Sequence, residues 1–171
     1  MSALSRFRVL YVMTHDSIGL GEDGPTHQPI EMLESLRSMP NMYVFRPCDG
    51  NEVAGSYAAA LKLSDAPSVL ALSRQGMPVN AGSSIAATAK GAYVLDAAAG
   101  GAPELVIIAT GSEMQLAVEA KKALGGLKVS LVSMPCQELF EEQSEEYQLS
   151  VLPDGVPVLS VEGARAPLKA G

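Results

Sequence analysis

Arg8-Val9-Leu10-Tyr11-Val12-Met13-Thr14-His15-Asp16-Ser17-Ile18-Gly19-Leu20-Gly21-Glu22-Asp23-Gly24-Pro25-Thr26-His27-Gln28-Pro29 is the stretch on which the reading of this chain turns. Arg8 to Met13 is a nearly continuous apolar run of strand length, the pattern of a strand covered on both faces. A Gly-rich polar loop follows from Thr14 to Gln28, and Ile30, Leu33 and Leu36 then recur at helical spacing until Pro40 stops the helix. Strand, polar loop and helix in that order form the opening of a β–α unit, with the loop at the carboxyl end of the strand.

The pattern repeats outward. Met42 to Phe45 reads as a second strand and Ser68 to Leu72 as a third. Between them Asp49 and Glu52 make a capping-box-like start to a helix whose apolar face is Val53, Tyr57, Ala60 and Leu61. Residues 8–73 therefore read βαβαβ, a parallel sheet covered by helices. Residues 74–104 are richer in Gly, Ser, Ala and Pro and hold one short strand, Gly91 to Leu95, so they read as a connector. A second unit opens with the buried-type strand Leu105 to Ala109. Thr110 and Glu113 fit a capping box, a helix runs to Leu124 with Gly125 behind it, and Lys128 to Val132 and Pro157 to Val161 supply two more strands. Glu138 to Glu146 carries five acids and reads as a solvated helix face.

The expected fold is α/β: parallel sheets flanked by helices, in two incomplete α/β domains joined by a linker. The boundaries are 1–75, 76–104 and 105–171. Three parallel strands fall short of the usual four to six, so the chain reads as a segment from the middle of a longer protein.

Composition narrows the function. Of 171 residues 47% are hydrophobic, enough for a packed core, while nineteen acids against twelve bases leave a formal charge of −7. That balance, with no Lys/Arg cluster to offset it, argues against nucleic acid as a partner. No apolar run approaches the roughly 18 residues of a membrane span, and Met1 to Arg6 has no secretory pattern. Cys48 and Cys136 lie 88 positions apart and form no CxxC pair, which favours reduced, packed thiols and a cytoplasmic setting.

The loop from Thr14 to Pro29 holds both histidines of the chain. Gly19, Gly21 and Gly24 match GxGxxG, with Asp49 about twenty-five residues on. As a dinucleotide site this fails: Glu22 and Asp23 would face a pyrophosphate, five residues separate the strand from the first glycine, and Pro25 stands where the helix should begin. A plain loop whose glycines only satisfy turn geometry remains open. His15, Asp16, Glu22, Asp23 and His27 also form a polar set. Zinc suits it poorly, because the two histidines lack a close-spaced partner and no cysteine lies near; no metal ligand is assigned. Proton handling and hydroxyl recognition suit it better.

The run from Thr14 to Pro29 resembles the signature segment of transketolases, thiamine-diphosphate enzymes that move two-carbon ketol units between sugar phosphates. The likeness continues through Arg46-Pro47-Cys48-Asp49-Gly50-Asn51-Glu52, where the family usually has Ala in place of Cys48. It extends through Leu72-Ser73-Arg74-Gln75, Gly91-Ala92-Tyr93-Val94-Leu95, Ala109-Thr110-Gly111-Ser112-Glu113 and Leu149-Ser150-Val151-Leu152-Pro153. The resemblance implies that residues up to about Arg74 are the second half of a pyrimidine-binding domain, and that those from about Gly91 begin a C-terminal domain.

The resemblance also implies roles. His15 and Arg74 correspond to residues that bind the substrate phosphate, a task suited to the donor fork of a guanidinium. Asp23 corresponds to the aspartate that reads the C2 hydroxyl of the acceptor aldose. His27 corresponds to the histidine that hydrogen-bonds the substrate and assists proton transfer, the catalytic assignment in this chain. Thiamine diphosphate with Mg²⁺ is the implied cofactor, held mainly by parts upstream of these residues, so no cofactor-binding residue is assigned. A homodimer whose active site lies between subunits is the implied assembly. The isolated chain is then expected to be inactive, and an inactive transketolase-like module for dimerisation or binding is the alternative. A plastid location would need a transit segment upstream.

Overall fold

A computed structural model describes residues 1–164, and seven apolar runs form strands within two residues of where their pattern puts them. In the first unit these are β1 (Leu10–Thr14), β2 (Tyr43–Phe45) and β3 (Ser68–Leu72), all parallel in the order β1-β3-β2. Helix α1 (Met32–Arg37) joins β1 to β2, and α2 (Gly50–Ala60) joins β2 to β3. Thr14 pairs with Leu72, so β1 and β3 end level and deliver His15 and the Ser73–Gln75 turn to one rim of the sheet.

One face of this sheet packs Val44, Val69 and Ala71 against Leu33 of α1. The other packs Phe45 and Leu70 against Ala59 and Ala60 of α2 and against Cys136 and Leu139 from the second unit. β1 departs from the expected doubly covered strand. It lies at the sheet edge, and Val12 and Met13 are exposed.

Helix α2 also departs from its expected face. Leu61 is exposed, and the residues turned inward are Glu52, Gly55, Ser56, Ala59 and Ala60. Close packing selects the small side chains here. A Cβ on Gly55 would stand 2.6 Å from Cβ of Thr88, the last residue of a short helix α3 (Ile85–Thr88) seated on α2. The start of α2 does form as read: the Asp49 carboxylate accepts from the Glu52 amide at 3.1 Å.

The second sheet has four strands in the order β4-β6-β5-β7, made of β4 (Tyr93–Asp96), β5 (Leu105–Ala109), β6 (Val129–Ser133) and β7 (Val158–Val161). The three later strands are parallel. β4, the short strand of the expected connector, pairs antiparallel with β6 and carries a bulge between Val94 and Asp96. It is an edge strand with Tyr93 and Leu95 turned in and Val94 and Asp96 turned out, the alternation of a strand with one solvated face. The sheet is therefore mixed.

Helix α4 (Met114–Ala123) covers one face through Met114 and Ala117. α5 (Gln137–Glu141) and α6 (Glu145–Val151) cover the other through Phe140 and Val151. The acidic run thus spans two helices and is not wholly solvated. Glu138 accepts from the Val44 amide at 3.1 Å, and Tyr43 donates its hydroxyl to Glu142, so two of its carboxylates tie α5 to β2.

The Thr110–Glu113 capping box does not form. Gly111–Glu113 is a 3₁₀ turn leading into α4, and Thr110 makes no side-chain cap bond to it. Its hydroxyl donates to the backbone oxygen of Arg46 at 3.1 Å, while Glu113 turns to the Arg46 guanidinium. Both partners are drawn to the first unit.

Candidate functional site

The turn after β1 is built by its glycines. Gly21 (φ 85°) and Gly24 (φ 76°) take left-handed angles, the Gly24 amide donates to Gly21 at 3.2 Å, and the His27 amide donates to Gly24 at 3.1 Å. No α-helix starts at these glycines; Pro25–His27 forms a 3₁₀ turn and α1 begins only at Met32. Gly19 lies against the neighbouring turn: a Cβ there would stand 2.3 Å from Nε2 of Gln75, so the Gln75 amide beside Arg74 packs on this loop.

His15 sits at φ 64°, a conformation that costs a non-glycine residue roughly 1–3 kcal/mol. Its Nδ1 lies 2.9 Å from the Thr14 hydroxyl, and Nδ1 of His27 lies 3.0 Å from the Thr26 hydroxyl, so each ring is oriented by the threonine before it. The two ring centroids are 6.4 Å apart with the planes inclined at 55°. Both rings line an open cleft of about 480 Å³ with Thr14, Thr26, Gln28 and Glu31. The structure therefore brings the two histidines together. Asp23 and Arg74 are exposed at the same rim but do not line that cleft.

The neighbouring polar residues Asp16, Arg46 and Glu113 are buried, and no sequence pattern pairs them with one another. Arg46 has no exposed side-chain surface. Its Nε donates to Asp16 at 2.8 Å, and Nη1 donates to the Thr110 carbonyl at 3.1 Å and pairs with Glu113. Glu162 lies 3.7 Å from Nη1 and is itself gripped by Arg37 through two bonds of 2.9 and 2.8 Å. Burial disfavours the Glu113 carboxylate, but the Arg46 hydrogen bond and charge outweigh it and hold its pKa below the ordinary 4.5. For Asp16 burial wins over Arg46, and its pKa is raised.

A second buried carboxylate, Glu52, accepts from the Cys48 amide at 2.7 Å and from the hydroxyls of Tyr93 and Ser133. Both clusters join the two sheets. Cys48 and Cys136 are free and buried, and burial raises both thiols, helped by Glu52 at Cys48 and Glu138 at Cys136; neither is poised as a thiolate nucleophile. In the sequence Arg46 shows only as a charged residue directly after an apolar strand and as the head of the Arg46–Glu52 block, neither of which names its partners.

Comparison with known proteins matches two family descriptions, "Transketolase, pyrimidine binding domain" over residues 1–79 and "Transketolase-like TK C-terminal domain" over residues 91–168. The chain belongs to the transketolase family. The transketolase of Scheffersomyces stipitis is 54% identical over 167 residues, covering 95% of this chain and 24% of that protein. The chloroplastic transketolase of Solanum tuberosum is 53% identical over 174 residues, covering 100% and 23%. Among solved structures, transketolase from Leishmania mexicana superimposes with a TM-score of 0.92 at 53% identity, over 96% of this chain and 24% of that one. This transketolase-family chain thus spans about a quarter of the length of the curated relatives it matches.

Glu113 supplies a pH-dependent test of the buried cluster. A carboxylate with a lowered folded-state pKa stabilises above its unfolded value of 4.5 and loses that contribution as pH falls through the lower folded value. Glu113→Gln is expected to cost roughly 3 kcal/mol at pH 7, the scale of breaking a buried ion pair. Urea unfolding should show this deficit at pH 7 and a much smaller one at pH 3; an equal deficit at both would remove Glu113 from the charged network.

Proposed function

We propose that this chain supplies substrate-facing residues of a transketolase, an enzyme that transfers a two-carbon ketol unit from a ketose phosphate to an aldose phosphate. The observation that carries the reading is the pair of imidazoles, each aligned by a threonine, 6.4 Å apart over one open cleft at the carboxyl end of β1. A transketolase 54% identical to the chain has been solved in complex with sedoheptulose-7-phosphate, with a TM-score of 0.91 over 96% of this chain and 24% of that one.

In this proposal His15 and Arg74 hold the phosphate end of the sugar, Asp23 accepts a hydrogen bond from the acceptor's C2 hydroxyl, and His27 binds the reacting end and moves a proton there. Exposure suits Arg74 and Asp23 to that work, since neither is held by a side-chain partner among the described residues. The division into segments 1–75, 76–104 and 105–171 belongs to the same proposal, with β4 counted in the second sheet. So does a homodimer in which these residues form one wall of the site. A cytoplasmic location is proposed, with the plastid as the alternative suggested by the chloroplastic relatives of potato and Arabidopsis.

The family's cofactor is thiamine diphosphate with Mg²⁺, and the residues described offer no cluster for the metal. No group of three or more His, Cys, Asp or Glu among them is arranged to hold a metal ion. The cofactor, which acts as the electron sink for carbon–carbon cleavage, is assigned mainly to segments other than these. What this chain does is bind, orient and exchange protons with the sugar.

Two expectations follow. The 171-residue polypeptide alone, given xylulose 5-phosphate, ribose 5-phosphate, thiamine diphosphate and Mg²⁺, should show no ketol transfer; measurable turnover would place a complete site within it. In an active enzyme that includes these residues, Arg74→Ala should raise KM for phosphorylated acceptors by ten- to a hundredfold, with little change in kcat. That is the effect of losing a charge-assisted contact worth about 1.5–3 kcal/mol. Asp23→Ala should instead erode discrimination between C2 epimers. Steady-state kinetics with phosphorylated and non-phosphorylated acceptors and with both epimers separates the two, and an exchange of these effects would reverse the ends of the substrate.

A further inference from the structure

The turn that presents His15 is held from behind. His15 adopts its left-handed angle between Thr14, the last residue of β1, and the buried pair Asp16 and Ser17. Histidine tolerates φ 64° better than most non-glycine residues, but the angle is still an uncommon one that its surroundings must hold. The Asp16 carboxylate, 2.8 Å from Nε of Arg46, is the fixed point on the far side of the turn.

Arg46 is in turn clamped by the second unit. Its backbone oxygen accepts from the Gly111 amide at 3.0 Å and the Thr110 hydroxyl at 3.1 Å, and its Nη1 meets the Thr110 carbonyl and Glu113. Gly111, at φ 56°, leaves room for this: a Cβ there would stand 2.8 Å from the guanidinium. The second unit also touches the turn directly, since a Cβ on Gly163 would lie 3.2 Å from Ile18 and 2.9 Å from Glu113.

We propose that the buried cluster of Arg46, Asp16 and Glu113 positions the His15 turn, so that the second unit sets where this imidazole stands in the cleft. The residues of the cluster act through His15 and meet no substrate themselves. The proposal rests on the reading of His15 as a phosphate-binding residue only for its consequence, and the geometry of the turn can be measured without it.

The Glu52 cluster provides the control. It also buries a carboxylate between the units, through the Cys48 amide, Tyr93 and Ser133, but it does not touch the His15 turn. A merely structural staple would make the two clusters equivalent.

The test compares the full chain with Glu113→Gln, Asp16→Asn and Glu52→Gln. The readouts are the carbon-bound proton resonances of the imidazoles and the affinity for ribose 5-phosphate. The chain has two histidines, so the ring spectrum is readable. Glu113→Gln should move the His15 ring signals and weaken ribose 5-phosphate at least threefold. Asp16→Asn, which keeps the side chain's shape, should do the same and stands in if Glu113→Gln does not fold. Glu52→Gln should lower stability and leave the His15 signals in place.

Unmoved His15 signals in both cluster variants would overturn the proposal, as would equal movement in Glu52→Gln. If His15 moves as expected while the cluster variants bind ribose 5-phosphate as tightly as the unaltered chain does, the positioning role stands and the phosphate reading of His15 fails.

Discussion

A guanidinium with no exposed surface lies where the two sheets meet, and the placement of everything around it follows from the need to neutralise it. Arg46 buries its charge among Asp16, Glu113 and Glu162, and Arg37 shares the last of these. Taking such ions out of water costs several kcal/mol each, so the cluster is weak evidence for stability. Its value is geometric. A buried charge must be met at hydrogen-bond distance and in the right direction, which allows far fewer arrangements of two sheets than apolar contact does.

The apolar cores interlock in the same way. Cys48, beside α2, packs into the core of the second sheet, while Cys136 and Leu139 pack into the core of the first. Each sheet thus has one face whose core is completed by the other unit. The 3₁₀ turn before α4, the missing capping box and the close approach of Gly111 to Arg46 are all consequences of joining the units at this point.

Much of this was legible in the sequence, and what was not has a common cause. Runs such as Leu105 to Ala109 and Ser68 to Leu72 gave strand positions because burial of a short apolar segment is a local property. The partners of charged residues are not. Glu113 reads as a capping residue by its spacing from Thr110, yet its counter-ion comes from sixty-seven positions earlier in the chain. Glu138 reads as part of a solvated face and instead turns to β2, while Glu142 stays exposed and still accepts from Tyr43. Helix α2 was assigned an apolar face by periodicity, whereas the space between it and α3 admits only Gly55 and similarly small residues. At the site, the loop composition singled out His15 and His27, and the fold brings them together; the buried Asp16–Arg46 bond behind them left no pattern to read.

The central claim is that Asp16 and Glu113, ninety-seven positions apart in sequence and in different units, act on one guanidinium. A double-mutant cycle of Asp16→Asn and Glu113→Gln in urea unfolding tests this most directly. Independent sites add to within about 0.5 kcal/mol, whereas members of one ionic network deviate by roughly 0.5–3 kcal/mol. A coupling energy above about 1 kcal/mol at pH 7 is the predicted result. Simple additivity would contradict the account.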